Sequence, residues 1–436
     1  MNFNVLKPFF ALFGGMFFLF AGYGLFLNSA GIKLTQSGVS QIVIGALNTA
    51  YFTGGALSAI ASHRVISRVG HVRSFCVLGA LFAVAALAHL MTDNLWAWGG
   101  LRLMLGFCYF SLLMVVESWL AERSDSAQRA SVLAYYNVIY YAAFTIGILL
   151  MGAGFGSEQI FILSAILVML AMLPIGLTTM AEPALPPQQR ISLPRVFEIV
   201  PLALVCSFMG GLMVNGYFTM SSVFLLGVGY SVATISAILT AAMIGGFLGL
   251  IPIAKLSDRY GRRNAIVLCS ALAVLAGLGT IISVRLVPDN MWLQYASAFV
   301  LGMGMIPLYS LGAARANDQL PDNMNTVDVS RSLLFSYGVG SLVAPLLIGF
   351  VMRWSGNTMF SVVFIAAAGI LLIYALSQET VPIELRSVFV SMPGDGSGLM
   401  PELDPRNEES DVSVLEENLA QVALEQDVNA TEIDQP

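Results

Sequence analysis

Residues 1–378 alternate between long apolar runs and short polar breaks, and that alternation is the strongest signal in the chain. The runs lie at 6–30, 41–62, 74–91, 95–121, 130–154, 158–180, 198–227, 232–254, 264–284, 290–314, 326–352 and 357–378. Each comes close to or exceeds the ~20 residues that a helix needs to cross a bilayer core. The pattern therefore predicts an all-α membrane protein with twelve transmembrane helices. The first run is too long for a signal peptide, lacks a small-residue cleavage site and is followed by eleven more, so it is expected to be retained.

The polar breaks carry a repeat. Lys255-Leu256-Ser257-Asp258-Arg259-Tyr260-Gly261-Arg262-Arg263 sits between the eighth and ninth runs, and a related sequence stands between the second and third. At a constant offset, Gly54-Gly55 corresponds to Gly245-Gly246, Arg64 to Lys255, Arg68 to Arg259 and Gly70 to Gly261. One structural half is thus expected twice, as two pseudo-symmetric six-helix bundles at 1–180 and 198–378. A proline-bearing cytoplasmic linker, 181–197, joins them, and an acidic, largely disordered cytoplasmic tail, 379–436, follows. The pattern G-x-x-x-D-R-x-G-R-R resembles the signature loop of the major facilitator superfamily (MFS). That resemblance implies the MFS fold and a gating role for Arg68, Gly70, Asp258, Arg259, Gly261, Arg262 and Arg263. The first copy has Ser67 where the second has Asp258.

Composition agrees with a bilayer protein: 57% of residues are hydrophobic, 11% are charged and the mean hydropathy is +0.80. Charge fixes the expected orientation, because Lys and Arg accumulate on the cytoplasmic side. The N-terminus and even-numbered loops hold fourteen basic residues against three, Lys33, Arg285 and Arg353, in the odd-numbered loops. Both termini are therefore expected in the cytoplasm, and the bacterial inner membrane is the expected location. The net charge of -6 belongs to the tail, since residues 379–436 contain 14 acids and 2 bases. Cys76, Cys108, Cys206 and Cys269 all fall inside spans and read as unpaired thiols. His63, His71 and His89 are not spaced as metal ligands, so neither metal nor other cofactor is expected.

Candidate chemistry concentrates in the fourth span. Ionisable groups inside a span are costly enough to mark function, and this span holds both Arg102 and Glu117. At 100° per residue, Arg102, Gly106, Tyr109, Leu113 and Glu117 fall within an arc of about 80°, a stripe that could line a water-filled cavity. The two charges cannot pair, because about 22 Å of helix separates them. Tyr23 in the first span, Asn215 in the seventh and Tyr309 in the tenth are further path candidates. The fifth span is rich in tyrosine, with Tyr135, Tyr136, Tyr140 and Tyr141 covering more than one face.

Arg102-Leu103-Met104-Leu105-Gly106 resembles a second MFS motif, R-x-x-Q-G, with Leu105 at the Gln position. The resemblance implies proton coupling through Arg102. It also implies that the first, fourth, seventh and tenth helices line the central cavity. Further strings, Tyr51-Phe52-Thr53-Gly54, Val65-Ile66-Ser67-Arg68-Val69-Gly70, Val115-Val116-Glu117-Ser118 and Ser336-Tyr337-Gly338-Val339-Gly340-Ser341-Leu342, resemble the YcaD-type group of bacterial MFS proteins. That group has no settled substrate. The expected function is secondary transport of a small solute by alternating access, coupled to protons. A drug/proton antiporter is the alternative within transport, although the G-x-x-x-G-P pattern is missing from the fifth span. A non-transporting sensor signalling through its tail is the alternative outside it, with the tail as a candidate protein-binding segment. No phosphate-binding G-x-x-x-x-G-K-[ST] loop occurs, so an ATP-driven pump is not expected. No nucleophile, base or ligand cluster points to an enzyme, and nothing points to nucleic acid.

Overall fold

The computed structural model describes residues 3–124, 126–178, 197–320 and 326–406. Most of the expected linker lies outside the described residues, as does the tail beyond Arg406. Helices follow the apolar runs: α1 Phe3–Gln36, α2 Gln41–Val69, α3 His71–Ala88, α4 Leu95–Arg123, α5 Ser126–Met151 and α6 Ser157–Gly176 in the first half. In the second half they are α7 Pro201–Val228, α8 Val232–Tyr260, α9 Arg262–Arg285, α10 Met291–Met305, α11 Leu308–Asn317, α12 Thr326–Ser355 and α13 Met359–Leu376. Among the described residues, twelve spans are long and apolar enough to cross a membrane. The tenth is one span broken into α10 and α11, with Pro307 at the break, where proline withholds a backbone donor. Several helices outrun their apolar stretches, because polar turns continue the helix beyond the hydrocarbon.

The repeat seen in sequence recurs in packing. Within the first half α1 packs on α5 and α6, and α2 on α4; within the second, α7 packs on α12 and α13, and α8 on α10. A Cβ at Gly106 would fall on the Tyr51 carbonyl, and one at Gly302 on the Ala242 carbonyl, so α2–α4 and α8–α10 touch backbone to backbone. The two loops match as well: Gly70 (φ 92°) and Gly261 (φ 95°) each end a helix in a conformation closed to other residues. Both loops lie on one face of the bundle, called here the basic face.

The halves meet through α2 and α12, α1 and α7, and α5 and α8. Towards the face opposite the basic one they are sealed. The Thr49 hydroxyl donates to the Leu342 carbonyl at 2.9 Å, the Ser236 hydroxyl to the Ile148 carbonyl at 2.7 Å, and Gln41 meets Asn357 at 3.3 Å. Towards the basic face they part and leave a vestibule.

One expectation is corrected here. The tail is expected to be largely disordered, yet residues 391–406 turn back into this vestibule and are mostly buried there, while Ile383, Leu385 and Val388 before them stay exposed. Val381, Met392, Leu399, Met400 and Leu403 are buried. Apolar residues at these positions, absent from a typical acidic linker, supply the burial that holds the segment.

Candidate functional site

The centre of the molecule lies where α4, α5, α7 and α12 face one another, and polar groups there have little water to turn to. Glu117 on α4 is fully buried. A buried carboxylate is tolerated only with donors, and Glu117 has three: the Tyr136 hydroxyl at 2.7 Å, the Ser397 amide at 2.9 Å and the Ser397 hydroxyl at 2.6 Å. The first comes from α5. The other two come from the tail.

A second polar cluster lies alongside. Asn215 on α7 reaches the Ser341 hydroxyl at 2.8 Å and the Tyr337 hydroxyl at 3.3 Å, both on α12. Its amide also donates to the Asp395 carboxylate at 2.7 Å, and the Tyr140 hydroxyl of α5 donates to the other Asp395 oxygen at 2.9 Å. Asp395 thus bridges the two halves, held by Tyr140 from the first and by Asn215 and Tyr337 from the second. Beside it a cavity of about 720 Å³ extends between α2, α4 and α12, walled by Phe52, Phe110, Met114, Phe335 and Leu342. Its lining includes tail residues 394–399.

The other expected path residues lie around this centre. Tyr23 and Tyr109 stack with ring centroids 3.8 Å apart, and Tyr51 lies 6.1 Å from Tyr23. Tyr309 packs edge-on to Tyr337 at 5.5 Å. Arg102 lies apart from Glu117. It is fully buried, none of its guanidinium nitrogens has a hydrogen-bond partner, and its charge sits 5.0 Å from the Phe26 ring centroid. A desolvated cation over an aromatic face recovers ~2 kcal/mol, far less than its hydration. The side chain does not reach out to the far surface.

On the basic face, Arg262 is buried and ties the second loop to its surroundings. It bonds Ser257 at 2.8 Å, Asp258 at 2.5 Å and the buried Asp318 at 3.2 Å. It also donates to the Ser387 carbonyl of the tail. Arg263 caps the carbonyls that end α13, Ala375 at 3.0 Å and Leu376 at 2.7 Å. Arg259 lies over Tyr260 at 5.3 Å, while Arg68 is exposed. No group of three His, Cys, Asp or Glu that could hold a metal occurs among the described residues.

Sequence reasoning gave no site role to Tyr337 and Ser341, which it quoted only in a family-like string, and did not single out Asp395 or Ser397. The signal for the last two was Met392-Pro393-Gly394-Asp395-Gly396-Ser397-Gly398-Leu399-Met400-Pro401, a glycine-rich stretch between paired apolar residues inside an acidic tail.

A family model described as "Major Facilitator Superfamily" matches residues 12–327 and, again, 203–381. Among relatives, an uncharacterised MFS-type transporter of Yersinia enterocolitica is 25% identical over 80% of this chain and 89% of its own. The uncharacterised MFS-type transporter YcaD of Escherichia coli is 24% identical over 85% and 94%. Among solved structures, a variant of the nucleoside transporter NupG superposes with a TM-score of 0.74 at 14% identity, covering 85% of this chain and 99% of that one. A bacterial homologue of the human lysosomal transporter Spinster, inward-facing and occupied, gives 0.67 at 16%, covering 89% and 99%. These structures share the fold.

Proposed function

The chain belongs to the Major Facilitator Superfamily, and from that premise we propose that it is a secondary transporter which moves a small solute by alternating access. The basic face is the cytoplasmic face, by the charge bias of the loops. The described conformation is then inward-facing, in a bacterial inner membrane, with both termini in the cytoplasm. The solute site is the polar centre between the halves, and rocking of one six-helix bundle against the other exposes it to each side in turn.

The observation that carries this reading is Glu117. It is a fully buried carboxylate between the halves, and among its donors are the amide and hydroxyl of Ser397, a tail residue that lines the neighbouring cavity. Such a group can exchange a proton as its surroundings change between states. Protons are the proposed coupling ion. Arg102, the one other charged side chain of α4 so deeply buried, would then serve the far side of the cycle, when the contacts around Phe26 open.

A thermal-shift screen of purified protein against metabolites and drugs identifies ligands, because a ligand that binds the folded state raises its apparent stability. Flux of a hit into proteoliposomes under an imposed pH gradient then tests the function. Wild type should accumulate or expel the solute in response to the gradient. Glu117→Gln should lose that response and keep solute exchange at equal pH. A Glu117→Gln protein that still responds to the gradient leaves this residue a structural role only, as the partner of Tyr136.

The packed tail favours one competing reading, a sensor that binds solute and signals through the tail without transport. Flux with and without residues 380–436 separates the two, since a transporter moves solute without its tail.

A further inference from the structure

The segment in the vestibule is bonded where a solute would be. Its outer part is anchored to the second half: the Ser387 amide and hydroxyl donate to Asp318 at 2.8 and 2.9 Å, and Glu402 pairs with Arg331 at 2.5 Å. Further in, Met392 exchanges two hydrogen bonds with Ser310, at 2.9 and 3.0 Å, and the Ser391 carbonyl accepts from Asn137 of the first half at 2.9 Å. The tip, residues 394–398, goes deepest. A Cβ on Gly394 would clash with the edge of the Tyr337 ring, and one on Gly396 would crowd Met400 and the Glu117 carboxylate. Glycine on both sides of Asp395 is what lets the tip reach the centre.

The chemistry at the tip is more specific than a seal requires. Apolar bulk alone would exclude water at lower cost than a buried carboxylate. Yet Asp395 is presented to Tyr140 and Asn215, two neutral donors from opposite halves, with the Tyr337 hydroxyl beside them. Two residues on, Ser397 presents an N–H and an O–H to Glu117. The tip therefore offers an acceptor pole to Tyr140 and Asn215 and a donor pole to Glu117. A free molecule with the same two poles would satisfy the same groups, and its ammonium would also neutralise Glu117.

We propose that residues 387–404 are a tethered stand-in for the solute, and that the solute is a small zwitterion. Its carboxylate takes the place of Asp395 at Tyr140, Asn215 and Tyr337, and its ammonium takes the place of the Ser397 donors at Glu117. The rest of the molecule extends into the space between α2, α4 and α12. The tail and the solute then compete, so the tail sets a threshold that cytoplasmic solute must overcome. This rests on the transporter reading for its physiological meaning, but occupancy of the site can be measured without transport.

The test uses the full chain with its four cysteines replaced and a single cysteine introduced by Ser310→Cys, behind the segment. A membrane-impermeant maleimide is added from the basic face. Labelling should be slow in this background and about tenfold or more faster after Gly394→Val, which removes charge-assisted hydrogen bonds of ~1.5–3 kcal/mol each. Asp395→Ala, likewise a change in the tail and in none of the helices, should act in the same direction. Equal labelling in all three chains overturns the tethered stand-in.

The second arm keeps Gly394→Val and adds 4-aminobutyrate or 6-aminohexanoate, with butyrate, hexanoate, butylamine and hexylamine as single-pole controls. A zwitterion should slow labelling more than either of its single-pole analogues, and Glu117→Gln should abolish that difference. Equal effects of zwitterions and single-pole compounds, or no effect from any, overturn the solute class. A chain that behaves as expected in both arms yet moves no solute in proteoliposomes contradicts the transport reading alone.

Discussion

At the scale of single residues, the buried charges divide by whether they have partners. Arg262 has three carboxylate or hydroxyl partners within 3.2 Å, and the Asp318 side chain it meets is wholly buried. Removing one member of such a pair strands the other, which costs ~3–5 kcal/mol. Arg262→Met should therefore lower the melting midpoint in detergent markedly, and Arg262→Met with Asp318→Asn should recover part of the loss. Asp258 is different, because its side chain is 53% exposed. Asp258→Asn should cost ~1 kcal/mol or less. Equal midpoints for Arg262→Met and Asp258→Asn would show that burial does not set the strength of this loop. Sequence made the loop legible, because its charges are dense and its glycines recur. It did not reveal that Arg262 is the buried member, since four neighbouring basic residues look alike until Asp318, just past the end of α11, meets one of them.

At the scale of elements, the pseudo-symmetry is carried by glycine contacts more than by charges. Gly106 and Gly302 occupy matching positions in α4 and α10, each against a backbone carbonyl of its partner helix. A side chain there must push two helices apart, at ~1–3 kcal/mol or more. Gly302→Val should therefore sharply reduce the yield of monodisperse protein in detergent, as should Gly106→Val, while Gly338→Val, with open space at its Cβ, should leave it unchanged. Similar yields for all three would argue against backbone contact as the basis of the repeat. The helices themselves were legible because length and hydropathy alone decide a span. The break at Pro307 was not, since proline inside a membrane helix is often accommodated. The packed part of the tail was not legible for a related reason. The tail's charge lies mostly beyond the described residues, and averaging over 379–436 hid the apolar positions of 388–403.

At the scale of the whole molecule, the site was half legible. Glu117 and Asn215 stood out as polar residues inside spans, and both line the centre. Tyr337, Asp395 and their companions did not, because a tyrosine in a span usually packs and an aspartate in a tail is usually solvated. What brings them together is the parting of the halves towards the basic face. The account requires that parting to be reversible and the tail to oppose its closure. Spin labels at Val69 and Tyr260 report the basic-face ends of the halves, and labels at Trp96 and Trp292 report the opposite ends; all four positions are exposed. Pulsed electron paramagnetic resonance then measures each pair in the full chain with and without Gly394→Val. With the tip unable to seat, the basic-face distances should gain a shorter component and the opposite-face distances a longer one, in matching proportion. Single, unchanged distributions for both pairs would contradict alternating access between these two halves.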